Sequence, residues 1–354
     1  MALDHTRSLL VRHGLALAVA TALATGGLSV LGAFWLDLPL RDPDGFLGPS
    51  WVRLPLILGL FLLADVLPRA AVRARSAKGL WTALKEVTVV RWPGHRLVVV
   101  MTALASFYVT YVGYRNLKSF LPFVRTRSQD FDLVATDKLL AFGNDPAELL
   151  HTVLGTGVAA YVLSFVYMAF LIFVPVSLAV ALVWSRDLSL GLWYATALCL
   201  NWALGTLSYY VLPASGPFVA VPWRFSDLPQ TEVAGLQEGL IRSRITVIAD
   251  PHATMSVSGI AAFASLHTSI VFTAALIVHL AKFPRVARWS MWVFFVLTVL
   301  ATIYFGWHYI VDDIAGVAIG AVSVWAGALA TGWRPNRGRT AAVAVPEREA
   351  LAAS

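Results

Sequence analysis

Apolar residues in this chain do not alternate with polar ones at the period of a surface helix or strand; they come in long stretches with polar runs between them. A helix needs about 20 predominantly apolar residues to cross a bilayer. Eight stretches meet or approach that length: residues 13–36, 51–72, 95–114, 158–184, 190–212, 266–283, 289–305 and 308–332. The pattern predicts an all-α polytopic membrane protein with about eight transmembrane helices. No repeat of 20 to 50 residues is present, and neither half copies the other. Residues 1–90 are expected to form two N-terminal helices and a basic loop, 91–333 a six-helix membrane core, and 334–354 a disordered tail. The segment "ADPHATMSVSGIAAFASLH" starts with turn residues and becomes apolar, so it is expected to be re-entrant or to lie at the interface, where non-helical backbone needs protein or a wet cavity around it.

Composition agrees with the pattern. The chain is 58% hydrophobic and 13% charged, with a mean hydropathy of +0.72, whereas soluble domains are about a quarter charged. The first stretch follows Arg7, Arg12 and His13 and is longer than the about 7–15 apolar residues of a signal peptide, so it is expected to be a retained helix. The lone Cys199 excludes an intramolecular disulfide and a cysteine-based metal site.

The net charge of +7 raises the question of nucleic acid, but its distribution points to a membrane instead. Arg69, Arg73, Arg75, Lys78, Lys85, Arg91 and Arg96 share one loop; Arg186, then Lys282, Arg285 and Arg288, occupy two other short loops. Arg334, Arg337 and Arg339 follow the last stretch, and with the N-terminus and tail this face collects 17 of the 27 basic residues. The positive-inside rule assigns it to the cytoplasm, with both termini. The longer loops, 115–157 and 213–265, then lie outside, as expected for an integral plasma-membrane protein. Membrane lipids are the expected partners, and no nucleic acid is; nothing in the sequence bears on the oligomeric state.

Against this apolar background the run "YFGWHYIVDD" stands out. His308 and Asp312 are four apart, a spacing that puts them on one face of a helix, where the carboxylate can accept a hydrogen bond from the imidazole and support a positive ring. Asp313, about 100° around, is expected to be a charge at headgroup level. The pair can equally be a satisfied polar contact at a helix end, although ionisable residues in a membrane are costly and tend to be functional. A second cluster, "FASLHTS", brings Ser265, His267 and Thr268 to the same membrane face.

"ASLHTS", followed about forty residues later by "GWHYIVDD", resembles the second and third signature motifs of the type 2 phosphatidic acid phosphatase superfamily, membrane enzymes that transfer phosphoryl groups through a phosphohistidine. The Ser-Leu-His variant, "YYVLPASGPF" and "YVGYRNLKSFLP" are most similar to the branch of the fungal inositol phosphorylceramide synthases and their bacterial relatives. The likeness spans roughly residues 108–320. It implies His308 as nucleophile, Asp312 as its orienting partner, His267 as general acid and Ser265 as a phosphate contact, with no metal and no cofactor. It implies a lipid phosphate, phosphodiester or diphosphate as substrate at the outer face, and either water or a lipid alcohol as acceptor.

The sequence departs from the family pattern in its cations. The first-motif Lys and Arg-Pro have no counterpart in "YYVLPASGPF", and the Ser-Arg pair of the third motif reads Ala301-Thr302. Phosphoryl transfer needs donors on the equatorial oxygens. Arg115 with Lys118, or Arg242 with Arg244, are the candidates, and the resemblance favours Arg115; each could instead be a snorkelling or headgroup-binding side chain. "GVAIG", 316–320, offers a small face for close helix packing. The competing reading is a transporter with a His/Asp proton relay, which would more often show internal repeats and helices broken at the membrane midplane.

Overall fold

A computed structural model of the chain describes residues 2–42, 50–74, 79–185 and 187–333. Arg75, Lys78, Arg186, Arg334, Arg337, Arg339 and the tail lie outside the described residues, as do the side chains of Arg7, Arg12 and His13. The described chain is all helical. Each of the eight apolar stretches corresponds to a helix: α1 (Ala2–Leu36), α2 (Ser50–Arg73), α4 (Gly94–Val124), α7 (Val158–Ala179, continued by a π-helical turn, Val180–Trp184), α8 (Leu188–Val211), α11 (Leu266–Leu280), α12 (Arg285–Tyr304) and α13 (Ile310–Thr331). Six of these, α1, α4, α7 with its π turn, α8, α12 and α13, are long and apolar enough to cross a membrane; α11, with 15 residues, is a shorter apolar helix.

The polar loops contain helices that hydropathy does not reveal. α3 (Leu80–Arg91) lies in the basic loop; α5 (Asp130–Leu140), α6 (Pro146–Leu154), α9 (Pro217–Ala220) and α10 (Glu232–Ala249) lie in the two long loops. Their starts have local causes. Asp145 accepts from Ala147 and Glu148 N–H with Pro146 at the first helical position, and Thr231 accepts from Ala234 N–H to open α10. α4 also continues about three turns past the apolar stretch that predicts it, so that Arg115 and Lys118 are helical residues.

α8 is the central helix, packed by α1, α4, α11 and α13. α13 meets α11 through the predicted small face: a Cβ on Gly316 would lie 2.4 Å from the Ser265 carbonyl oxygen, and one on Gly320 would lie 2.8 Å from that of Ser269. α1 packs against α4, where a Cβ on Gly113 would lie 2.9 Å from the Thr25 backbone. Fully buried Asp65 on α2 binds three residues of the basic loop, Arg69 at 2.6 Å, Arg91 at 3.1 Å and Trp92 Nε1 at 2.9 Å. Arg91 and Arg96 also donate to the Trp184 and Ser185 carbonyls, capping the end of the π turn. Two of the basic residues counted for topology thus also tie helices together.

The segment at 250–264 is non-helical, and its last residues are largely buried. Three of its backbone donors are met by protein: Ser258 N–H by Ser119 Oγ, Ala262 N–H by the Ala214 carbonyl and Ala264 N–H by Ser208 Oγ. That satisfies the condition for irregular backbone inside a helical bundle.

Candidate active site

The two histidine clusters converge because their helices begin at the same place. Ser265, fully buried, is the N-cap of α11: its Oγ accepts from Thr268 N–H at 3.3 Å, and its own N–H donates to the Asp312 carbonyl at 3.0 Å. This pins the start of α11 to the first turn of α13, and the Gly316 contact closes the same gap. The result is a pair of imidazoles, His267 and His308, with ring centroids 5.7 Å apart.

His308 is not on the helix that the spacing with Asp312 predicts. It lies in the turn between α12 and α13, where the Thr302 carbonyl accepts from Trp307 N–H at 2.9 Å, and α13 starts two residues later. Asp312 therefore sits in the first turn and reaches back to Tyr309 N–H, at 2.9 Å from Oδ2. Its contact with His308 is an ion-pair distance of 3.4 Å from Nδ1 to Oδ2 without a hydrogen bond, and His308 Nδ1 and Asp312 Oδ1 are both buried and unbonded. The expected imidazole–carboxylate hydrogen bond is thus replaced by a close approach: the oxygen that faces Nδ1 is Oδ2, the one already accepting from Tyr309 N–H at the helix end. Asp313 is not a headgroup-level charge either. It is 5% exposed and accepts from the hydroxyls of Thr268 and Thr302, since its rotation around α13 turns it toward α11 and α12.

Aromatic rings hold His267. Tyr167 stacks on it at 4.6 Å, Phe170 lies at 4.4 Å, and Trp307 stacks on the far side of Tyr167 at 5.0 Å. Phe218 lies 4.7 Å from Trp307. The "PASGPF" loop is fixed by Asp130, which accepts from Ser215 and Gly216 N–H and from the Tyr309 hydroxyl at 2.9 Å. Gly216 has φ +96°, and a Cβ there would meet the Trp307 carbonyl at 2.6 Å, so the loop can press against the histidine turn only as glycine.

The four candidate cations separate. Lys118 is buried, 3.4 Å from the Tyr114 hydroxyl and 4.9 Å over the Tyr209 ring, and its charge acts on both His267 and His308. No carboxylate pairs with it among the described residues. Arg115 bonds the Tyr111 hydroxyl at 3.3 Å, and its charge acts on Lys118. Arg244 bonds the Ile260 carbonyl at 3.3 Å and also acts on Lys118; burial works against its charge and lowers its pKa. Arg242, on the same helix, is exposed. A buried ammonium without a counter-charge is costly and favours an anion beside it. Tyr114, Tyr167 and Tyr209 were not singled out from the sequence. A signal was present in "YVGYRNLK", where Tyr111–Arg115 and Tyr114–Lys118 repeat one i,i+4 pairing.

Among the described residues no group of His, Cys, Asp and Glu is arranged to hold a metal ion. A family model described as the PAP2 superfamily matches residues 132–326, more than half of the chain. No curated protein and no solved structure matches.

Proposed function

Because the chain belongs to the PAP2 superfamily, we propose that it is an integral membrane lipid phosphatase or phosphotransferase in which His308 is the nucleophile and His267 the general acid and base. The observation that carries this reading is the pair of imidazoles 5.7 Å apart, with Lys118 buried on α4 beside Tyr114 and Tyr209 and paired with no carboxylate among the described residues. The unprotonated ring nitrogen of His308 attacks phosphorus, the bond from phosphorus to the leaving oxygen breaks, and His267 gives that oxygen its proton. Water or a lipid alcohol then attacks the phosphohistidine and loses its proton to His267, and the P–N bond returns its electrons to His308. Asp312 stabilises the cationic ring by proximity.

Lys118 replaces the missing first-motif cations, with Arg115 and Arg244 beside it, and the tyrosine hydroxyls give further donors to the phosphoryl oxygens. Ser265 acts chiefly by positioning, as the N-cap that sets His267. The substrate is a lipid phosphate, phosphodiester or diphosphate presented at the outer face of the plasma membrane, with both termini cytoplasmic; the basic-loop distribution supports that orientation. "ASLHTS" and "YVGYRNLKSFLP" support a relation to the inositol phosphorylceramide synthase branch, and with it transfer to a lipid alcohol.

The test is rapid-quench labelling of purified protein with an activated phosphoryl donor. Acid-labile, base-stable label is expected on the wild type and on His267→Ala, where a good leaving group needs no proton, and none on His308→Ala. Label on His308→Ala but not on His267→Ala would exchange the two roles, and an unlabelled wild type would favour direct transfer. A panel of lipid phosphates followed by mass spectrometry separates free phosphate from transferred product.

A further inference from the structure

His308 also borders a small polar cavity whose wall includes Asp137, Asp145, Pro217, Arg224 and Tyr309. Two of its charges are committed to each other: Asp145 caps α6 and is ion-paired with Arg224. Asp137, on α5, is 5% exposed and has no cationic partner among the described residues. Its Oδ1 accepts from Ile310 N–H at 2.9 Å. Ile310 is the first residue of α13, whose opening N–H groups have no acceptor within the helix. Asp312 closes the preceding donor, Tyr309 N–H, at the same distance. The two backbone donors that follow His308 are thus held by two carboxylates, one from α13 itself and one from α5.

We propose that Asp137 is a positioning residue for His308: it fixes the backbone that presents the imidazole and, when ionised, adds to the negative charge of Asp312 and Asp313 around the turn whose ring becomes cationic on phosphorylation. This rests on His308 being the nucleophile. Anions at a helix N-terminus are favoured in any case, and a charge buried here is weakly screened. Burial is the main cause that pushes the Asp137 carboxyl up to about 7; the Ile310 N–H opposes the rise, and Asp312 and Asp145 add to it. The groups facing Asp137 are therefore Asp312 from α13, Asp145 and Arg224 across the cavity, and His308 and Tyr309 from the turn. Its charge appears as pH rises through neutrality, so its support for His308 is absent in acid and present in base.

The experiment measures lipid-phosphate turnover from about pH 5.5 to about pH 9 for the full chain and its Asp137→Asn, Asp137→Glu and Asp137→Ala variants. In parallel, histidine ring titrations are followed by nitrogen NMR on histidine-labelled protein in detergent, with His308 assigned by its loss in His308→Gln. Asp137→Asn keeps an acceptor for Ile310; it is expected to match wild type at the acidic end and to fall about tenfold behind it above neutrality, and its His308 ring signal is expected to lose the inflection near neutrality that ionisation of Asp137 imposes in the wild type. Asp137→Glu should recover part of the alkaline rate, and Asp137→Ala should lose turnover at every pH. An Asp137→Asn protein that follows wild type at every pH and leaves the His308 titration in place overturns the proposal. Wild type without turnover on any lipid phosphate would count against the enzymatic reading instead, and the titration would still decide the role of Asp137.

Discussion

In the proposed reading, a single buried lysine stands in for the cations that the family pattern has and this sequence lacks. Lys118 is held by two tyrosines rather than by an acid, and such a charge is expensive to bury unless an anion arrives. Lys118→Ala is expected to lower turnover by about 10²–10³-fold, the range for removing one preorganised donor to a developing oxyanion. Lys118→Arg should recover part of this, whereas Arg242→Ala, at an exposed position on α10, should stay close to wild type. Steady-state kinetics on detergent-purified variants decide it. Equal, small effects at both positions would remove Lys118 from the site. The residues legible in advance were those with a motif around them, His267, His308 and Asp312. Tyr209 and Tyr167 come from other helices, with no fixed spacing to either histidine, and Asp137 acts on α13 from more than 170 residues earlier in the chain.

Among the elements, the contact of α11 with α13 decides whether there is a site at all. Gly316 faces the carbonyl oxygen of Ser265, which is backbone and cannot rotate aside, and the same Ser265 starts the helix that carries His267. Gly316→Leu should therefore separate the two histidines. Overpacking of this kind costs about 1–3 kcal/mol, and activity should fall further than stability does. The measurement pairs thermal unfolding in detergent with turnover; an active Gly316→Leu protein would show that the close approach is not needed. The small-residue face was readable from "GVAIG", but its partner was not, because the motif states only that something comes near. The HxxxD spacing misled in a related way. It supposes a helix through both residues, and the turn at Gly306, with φ +67°, ends that regularity before His308.

At the scale of the whole molecule, the distribution of charge predicts a sidedness. Gly235 on α10 is exposed in the long loop that holds Arg244, and Arg73 is exposed at the end of α2 in the basic loop. Gly235→Cys is expected to react with an impermeant thiol reagent in intact cells, and Arg73→Cys only after the membrane is opened. The native Cys199 is fully buried and should stay silent in both. The reverse pattern would turn the site to the cytoplasm. That the chain is an all-helical membrane protein, and where most of its spanning helices lie, follows from the sequence alone, because burial in hydrocarbon imposes long apolar stretches that need no partner to be recognised. The same holds for the family, whose histidine motifs are local. Only the tertiary structure decided that Lys118 is buried among tyrosines while Arg242 is exposed, that Asp313 turns inward to threonines, that Asp312 bonds a helix end rather than the imidazole, and that α5 reaches the start of α13. Apart from the Asp312 bond, which is local to the start of α13, these depend on groups from separate helices meeting at a few ångströms, and hydropathy, which averages over a helix, carries no record of which faces meet.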